Sequence, residues 1–268
     1  MDKDRARELD QFYTKPEVAS RFVDTIQKFI SFSDLKRIVE PCVGTGAIFN
    51  LLPEDKRLGF DIDPKIEVPT QDFLTSDLSY LPNTLVITNP PYGTNSTLAV
   101  KFFKKASQFS DHIAFLVPIQ WQRYSLQNRL PKDFNLVFTE KIDSNSFIFE
   151  GEDYGVNTCI QLWSRKLNLP DIRIREKPIT SHPDFEFVKN TEDADFLLIV
   201  CGRRSQYIHE VDSRVSRYTV ERIKVNREGV REIFESVGWD RFGKESTGTM
   251  WINRQMIVEE YSKKLEKS

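Results

Sequence analysis

Three stretches of this chain carry residue types at spacings that could do chemistry. The first is Glu40-Pro41-Cys42-Val43-Gly44-Thr45-Gly46-Ala47, which follows the apolar pair Ile38-Val39 and so sets a carboxylate at a strand end with two glycines in the turn behind it. A residue without a β-carbon lets backbone come close to a ligand at such a turn. A dinucleotide fingerprint would need a third glycine at position 49, where Phe49 stands. Glu40 argues the same way, because a carboxylate beside the turn repels a pyrophosphate and pairs with an ammonium. S-adenosylmethionine offers an ammonium, a sulfonium and no phosphate, so these residues select it as the cofactor, with Glu40, Pro41, Cys42, Gly44 and Gly46 around it.

The second stretch, Gly59-Phe60-Asp61-Ile62-Asp63-Pro64, ends another apolar run in carboxylates. From there Asp61 can bridge ribose hydroxyls, with Ile62 beside it. Further on, Gln71-Asp72-Phe73-Leu74 offers Asp72 as an acceptor for an adenine amine and Phe73 as an apolar wall. These residues also fit an ordinary strand-to-helix turn flanked by solvated loop acids. Their order at successive strand ends favours the pocket.

The third stretch is Asn89-Pro90-Pro91-Tyr92, directly after the apolar run Leu85-Val86-Ile87-Thr88. An exocyclic amine on a purine ring is a poor nucleophile because its lone pair is delocalised. A site that accepts both of its N–H hydrogens pulls the nitrogen out of conjugation. The Asn89 side-chain oxygen and the Pro90 carbonyl can supply the two acceptors, since prolines hold the backbone and remove competing N–H donors. Tyr92 adds a ring face on which a base can stack. No strong base is needed, because a sulfonium methyl is already activated and the amine proton can leave after transfer. As a purely structural element the tetrapeptide would be a turn followed by extended chain.

Positioning these stretches at strand ends requires an alternating architecture. Apolar runs at residues 37–39, 57–60, 84–88, 113–117, 136–140 and 158–163 predict strands. Between them, Val18, Phe22, Ile26 and Ile30 lay one stripe along a helix over residues 18–30, and residues 99–109 repeat the pattern. Strands and helices taking turns predict an α/β fold with a mostly parallel sheet. After Ser164 the texture changes, with Pro170, Pro178 and Pro183 in a polar stretch, then Arg-dense chain with scattered aromatics. This predicts two domains, 1–165 and 166–268, the second closing on a helix over residues 252–265 that presents Ile252, Met256, Tyr261 and Leu265 roughly on one face.

Composition sets the outer bounds. With 268 residues, 39% apolar and 12% aromatic, the chain can bury a sizeable core. Lys plus Arg number 38 against 40 Asp plus Glu, so a nucleic-acid face must be local. Cys42, Cys159 and Cys201 lack the pair spacings of zinc sites or disulfide scaffolds, and no metal is predicted. No run is long enough to span a membrane and the start has no signal-peptide core, which reads as soluble and cytoplasmic.

Taken together, the residues around Glu40, Asp61, Asp72 and Asn89-Pro90-Pro91-Tyr92 resemble the adenine-specific DNA amino-methyltransferases, in the subgroup whose cofactor motifs come first and whose target recognition lies at the C-terminus. Gln11-Phe12-Tyr13-Thr14, followed by Lys15-Pro16, is the most discriminating further match, and the likeness covers residues 11–164. It implies a Rossmann-like S-adenosylmethionine-dependent methyltransferase fold with its last strand antiparallel, followed by a smaller C-terminal α+β domain. It implies that Tyr13 and Thr14 enclose the methionine end, that Asn89, Pro90, Pro91 and Tyr92 meet the target base, and that Phe149 or Phe147, of which Phe149 is the choice, stacks on its other face, the alternative being that both rings sit in the core. A base paired in duplex DNA would have to be flipped out to reach this site. The resemblance also allows for a cognate restriction endonuclease as partner.

For holding DNA, residues 166–268 carry 19 Lys plus Arg against 18 Asp plus Glu, so clustering matters more than the sum. Arg203 and Arg204 beside Tyr207, and Arg214 and Arg217 beside Tyr218, suit phosphates and base edges, as do Trp121 and Arg123 in the first domain. Each cluster also fits a solvated, charge-balanced surface. Three other readings stay open. An RNA adenine methyltransferase shares the amine chemistry. A protein glutamine methyltransferase shares the Asn-Pro-Pro-Tyr motif, but usually carries a helical domain where only 39 residues precede Glu40. An inactive nucleic-acid-binding relative would keep the fold, although the intact motif set argues against it.

Overall fold

Each apolar run marked as a strand forms one, and along the central four the residues are buried consecutively, as in a sheet covered on both faces. The computed structural model describes residues 12–142, 146–149, 152–201, 207–211, 219–244 and 252–267. The chain divides into two compact units, residues 1–176 and 177–268. The first holds β1 (Tyr13–Thr14), β2 (Arg37–Glu40), β3 (Arg57–Gly59), β4 (Thr84–Thr88), β5 (His112–Pro118), β6 (Asn135–Lys141), β7 (Phe147–Phe149), β8 (Glu152–Tyr154) and β9 (Thr158–Ser164).

Six of these form one sheet in the order β3-β2-β4-β5-β9-β6. β3, β2, β4 and β5 run parallel, while β9 is antiparallel to both β5 and β6. This is the mostly parallel, Rossmann-like arrangement expected, with the last strand reversed. Alternate residues face opposite sides of the sheet. Ile38, Leu85, Ile87, Leu116 and Ile160 share a cluster with Phe22 and Ile26 of α1 (Pro16–Gln27). Val39, Val86, Phe115, Val117 and Trp163 share the other with Phe102 and Phe103 of α2 (Thr97–Ala106). One helix therefore covers each face.

Helix α1 starts at Pro16, where a missing N–H costs nothing. It ends at Gln27, yet the Ile30 N–H still reaches the Ile26 carbonyl at 3.0 Å, so the last residue of the apolar stripe is buried just beyond the helix. Full burial of side chains such as Phe22 and Ile26 contributes about 1.5–3 kcal/mol each.

Because β2 lies between β3 and β4, the chain leaves β2 on one side and returns on the other, which opens a crevice at the C-terminal ends of β2 and β4. Glu40 is the last residue of β2 and Asn89 the first after β4. A second, three-stranded sheet joins β1 to the hairpin β7–β8, with Tyr13 opposite Ile148 and Thr14 opposite Phe147. The Lys15 ammonium lies 2.7 Å from the Asp153 carboxylate, which fastens β1 to that hairpin.

The first unit runs past residue 165, where the composition changes, to Glu176. The Ile172 N–H donates to the Leu136 carbonyl at 2.8 Å, and the Asp171 carboxylate accepts the Leu136 N–H at 2.9 Å. Buried Arg173 donates to the carbonyls of Leu130, Pro131 and Phe134. These bonds hold the proline-rich stretch to the edge of the first sheet, so its polar composition does not mark the boundary.

The second unit has β10 (Phe185–Val188), β11 (Phe196–Ile199), β12 (Ile208–His209) and β13 (Val220–Val225) in an antiparallel sheet ordered β10-β13-β11-β12. Its core gathers Phe185, Phe196, Leu198 and Ile223 with Phe234 of α3 (Val230–Ser236) and Tyr261 of α4 (Arg254–Leu265). The Asn253 side chain caps α4 by accepting the Met256 N–H at 3.0 Å. Tyr261 is buried and Met256 and Leu265 pack against the same core, as expected of the closing helix, whereas Ile252, also buried, lies before the helix cap rather than on its face. Among the described residues no helix is long and apolar enough to cross a membrane.

Candidate functional site

At the C-terminal ends of β2 and β4 lies a cleft of about 690 Å³, counted out to the solvent at its mouth. Of the residues expected to hold a cofactor, Tyr13, Thr14, Glu40, Cys42, Gly44, Asp61, Ile62 and Asn89 line it, together with Pro90 and Pro91.

Glu40 dominates its electrostatics. The residue is 2% exposed, and its Oε2 has no hydrogen-bond partner among the described residues. Burial pushes its carboxyl well above the usual carboxylate range, and the charge of Asp61 adds to the shift. The same burial and the same acids push the Cys42 thiol well up, so it is a neutral wall of the cleft. Tyr13 is raised too, by burial and then by Asp63 and Asp61. A cleft so lined disfavours anions and favours a cation.

The glycine turn serves this arrangement in two ways. Gly44 has φ +51°, and a β-carbon there would lie 3.2 Å from Cδ1 of Tyr13. A side chain at this position would push the Tyr13 ring aside. The Gly44 N–H also donates to Asp61 Oδ2 at 2.8 Å, while the Asp63 N–H donates to Asp61 Oδ1 at 2.8 Å. Asp61 is thereby fixed at the cleft wall, and each oxygen keeps a second lone pair for a ligand hydroxyl. After the turn comes a 3₁₀ turn at Phe49–Leu51 rather than a long helix whose N-terminus would hold a phosphate. Pro41 and Gly46 are buried and do not line the cleft. Gly46 closes the turn, since a β-carbon there would meet Asn50 and Ile66, both at 2.8 Å.

Asn89 is held at both ends of its amide. Nδ2 donates to the Phe12 carbonyl at 2.9 Å, and Oδ1 accepts from the Tyr92 hydroxyl at 3.1 Å. Fixing Nδ2 on Phe12 determines where the acceptor oxygen points. No role for Phe12 follows from the sequence alone, although it stands inside the Gln11-Phe12-Tyr13-Thr14 match that pointed to this segment.

Several residues sit elsewhere than expected. Tyr92 is 8% exposed, and the Phe12 ring packs beside its ring in an offset arrangement, with centroids 6.2 Å apart and planes 24° apart, so little of Tyr92 is open to a base. Phe73 is 1% exposed and packs on Phe102 and Phe109 at 5.0 and 6.0 Å, making it core rather than a cleft wall. Asp72 is not among the lining residues; its Oδ1 accepts the Leu74 N–H at 2.9 Å and caps the turn at Phe73–Thr75. Trp121 is fully buried against Phe103 and Phe115 and cannot reach a nucleic acid, whereas Arg123 is exposed. Phe147 is buried in the core. The side chain of Phe149 lies outside the described residues, as do Arg203, Arg204, Arg214 and Arg217.

No protein-family profile matches the chain, and no curated protein matches it either. Among solved structures, a candidate RNA methyltransferase from Pyrococcus horikoshii is 19% identical, with 58% of this chain and 87% of that one covered at a TM-score of 0.44. The 23S rRNA methyltransferase ErmE is 18% identical over 61% of this chain and 72% of its own, at a TM-score of 0.44. A candidate class I S-adenosylmethionine-dependent methyltransferase from Listeria monocytogenes is 15% identical over 60% and 64%, at 0.48.

Proposed function

We propose that the first unit binds S-adenosylmethionine in this cleft and transfers its methyl group to the exocyclic N6 amine of an adenine flipped out of DNA. The observation that carries the reading is the pairing of two strand ends: Glu40, a buried carboxylate with an unpartnered oxygen, stands beside the strand that delivers Asn89 and Pro90.

The residues present fit the donor. Glu40 Oε2 lacks a partner that an ammonium would supply, and pairing there would remove the cost of the buried charge. Asp61 retains lone pairs for ribose hydroxyls. Ile62, 49% exposed at the cleft, offers an apolar surface to an adenine ring. Tyr13 and Thr14 close the cleft from β1. When bound, the cofactor would supply a methyl group on a cationic sulfur, open to attack by an amine.

The chain's own task is alignment. Asn89 Oδ1 and the Pro90 carbonyl accept the two amine N–H groups and turn the nitrogen lone pair toward the cleft. The Phe12 carbonyl keeps Nδ2 of Asn89 engaged, so the oxygen and not the nitrogen meets the amine. With the cofactor bound, the N–C bond would form as the S–C bond broke with its electron pair left on sulfur, and one amine proton would then leave to solvent. Phe149 would meet the outer face of the base. Arg203, Arg204, Arg214 and Arg217, with exposed Arg123, would hold phosphates and base edges. Cytoplasmic residence and a partner restriction endonuclease go with the same reading.

The DNA assignment rests on the order of the motifs and on the Gln11-Phe12-Tyr13-Thr14 match. Labelled S-adenosylmethionine offered with duplex DNA, single-stranded DNA, RNA and a glutamine-bearing peptide tests it. Label is expected on adenine N6 of DNA. Label in RNA or peptide with DNA blank overturns the substrate, and no binding of S-adenosylmethionine overturns the whole reading.

A further inference from the structure

We infer that Phe12 is a specificity-determining gate of the base pocket, whose ring holds the place on Tyr92 that an incoming purine takes. The inference rests on the reading of Tyr92 as the stacking surface for the target base. Phe12 is among the residues that line the cleft with Asn89 and Pro90, and its ring packs beside Tyr92 with 24° between planes and 6.2 Å between centroids. Tyr92 is left only 8% exposed. On the other side, β1 pairs with β7 through Tyr13 opposite Ile148 and Thr14 opposite Phe147.

The backbone of Phe12 and its ring have separable duties. Strand pairing of β1 with β7 and the Lys15–Asp153 ion pair anchor the main chain, and the Phe12 carbonyl holds Asn89 Nδ2. Rotation about the side-chain torsions moves the ring between staggered wells and leaves that carbonyl where it is. The gate can therefore open without releasing Asn89. A planar base that stacks on Tyr92 restores the ring-on-ring packing that Phe12 gives up as it swings away. A small amine or water molecule does not, so the ring both selects the substrate and keeps water from the reacting centre while no base is bound.

The probe is the deoxyriboside of 2-aminopurine, whose fluorescence is quenched on stacking against an aromatic ring. It is titrated into the full-length protein and into Phe12→Ala, Phe12→Leu and the double variant Phe12→Ala with Tyr92→Ala. Phe12→Ala is expected to bind about two- to tenfold more tightly than the parent, the range a single aromatic pair contributes. Phe12→Leu, which keeps apolar bulk against the core if alanine prevents folding, shows a smaller gain in the same direction, and the double variant loses the gain. Unchanged or weaker binding in both single variants overturns the gate, as does a gain that survives removal of Tyr92. Methyl transfer by the parent is measured alongside. Transfer without a gain in binding fells the gate alone, while a gain without transfer fells the enzyme reading and leaves a gated purine pocket.

Discussion

Replacing Glu40 by Gln tests the electrostatic centre of the cleft, and the sign follows from the proton. Unfolded, this carboxyl titrates near the ordinary value of 4.5; folded, burial and the Asp61 charge hold it well above that. Below the unfolded value both states are protonated and the residue carries no penalty. As pH rises past it, the unfolded chain releases the proton while the native one retains it, and stability falls by about 1.4 kcal/mol per pH unit until the native pKa is passed. From about pH 5 to about pH 7 the loss sums to at most about 3 kcal/mol. Glutamine exchanges no proton, so this slope vanishes and the variant overtakes the parent in stability as pH rises. Urea midpoints for both proteins at several pH values, without cofactor, measure the difference and cancel every other titrating group. Adding S-adenosylmethionine should reverse the ranking, because the ammonium loses its counter-charge at a cost of about 3–5 kcal/mol, a hundredfold or more in affinity. Parallel pH profiles for parent and variant, or equal affinity for the cofactor, would refute the argument.

Asn89→Ala should lower kcat about a hundredfold or more while leaving cofactor affinity close to the parent's; an equal loss in both, by single-turnover kinetics and equilibrium binding, would make Asn89 a cofactor residue. Gly44→Ala imposes a β-carbon at φ +51° and 3.2 Å from Tyr13, so about 1–2 kcal/mol of stability and part of the cofactor affinity should be lost. Unaltered cofactor binding in that variant would show that Tyr13 does not touch the ligand. Trp121→Ala should cost about 3–5 kcal/mol in thermal or urea unfolding with no change in DNA affinity of the folded protein, and the reverse pattern would return Trp121 to the nucleic-acid surface. Removing Arg203 and Arg204 together should reduce the slope of log affinity for DNA against log salt by about 2; an unchanged slope takes this pair out of the interface.

Strand ends were legible because they are local events. An apolar run followed by Glu40 and glycines, or by Asn89 and prolines, reads as a strand meeting a turn whatever lies around it, and the cleft does gather Glu40, Gly44, Asp61 and Asn89. Residues of mixed character were not legible in the same way. Phe73 and Ile62 each neighbour in sequence a carboxylate expected to hold the cofactor, yet Phe73 is 1% exposed and Ile62 49%. Which of the two apolar side chains faces a ligand depends on α2, whose Phe102 covers Phe73 from a distant part of the chain. Trp121 followed the same rule, drawn inward by Phe103 and Phe115 rather than outward by its polar neighbours Gln120 and Gln122.

By itself the sequence determined the alternation of strands and helices, the stripe along α1 and the order of acids at the strand ends, since periodicity and turn chemistry act over a few residues. Only the tertiary structure decided that β1 pairs with β7, that Phe12 reaches Asn89 and Tyr92, and that Glu40 keeps an unpartnered oxygen. Those facts depend on contacts between residues far apart along the chain, where the local pattern is silent and the packing of both sheet faces chooses the outcome.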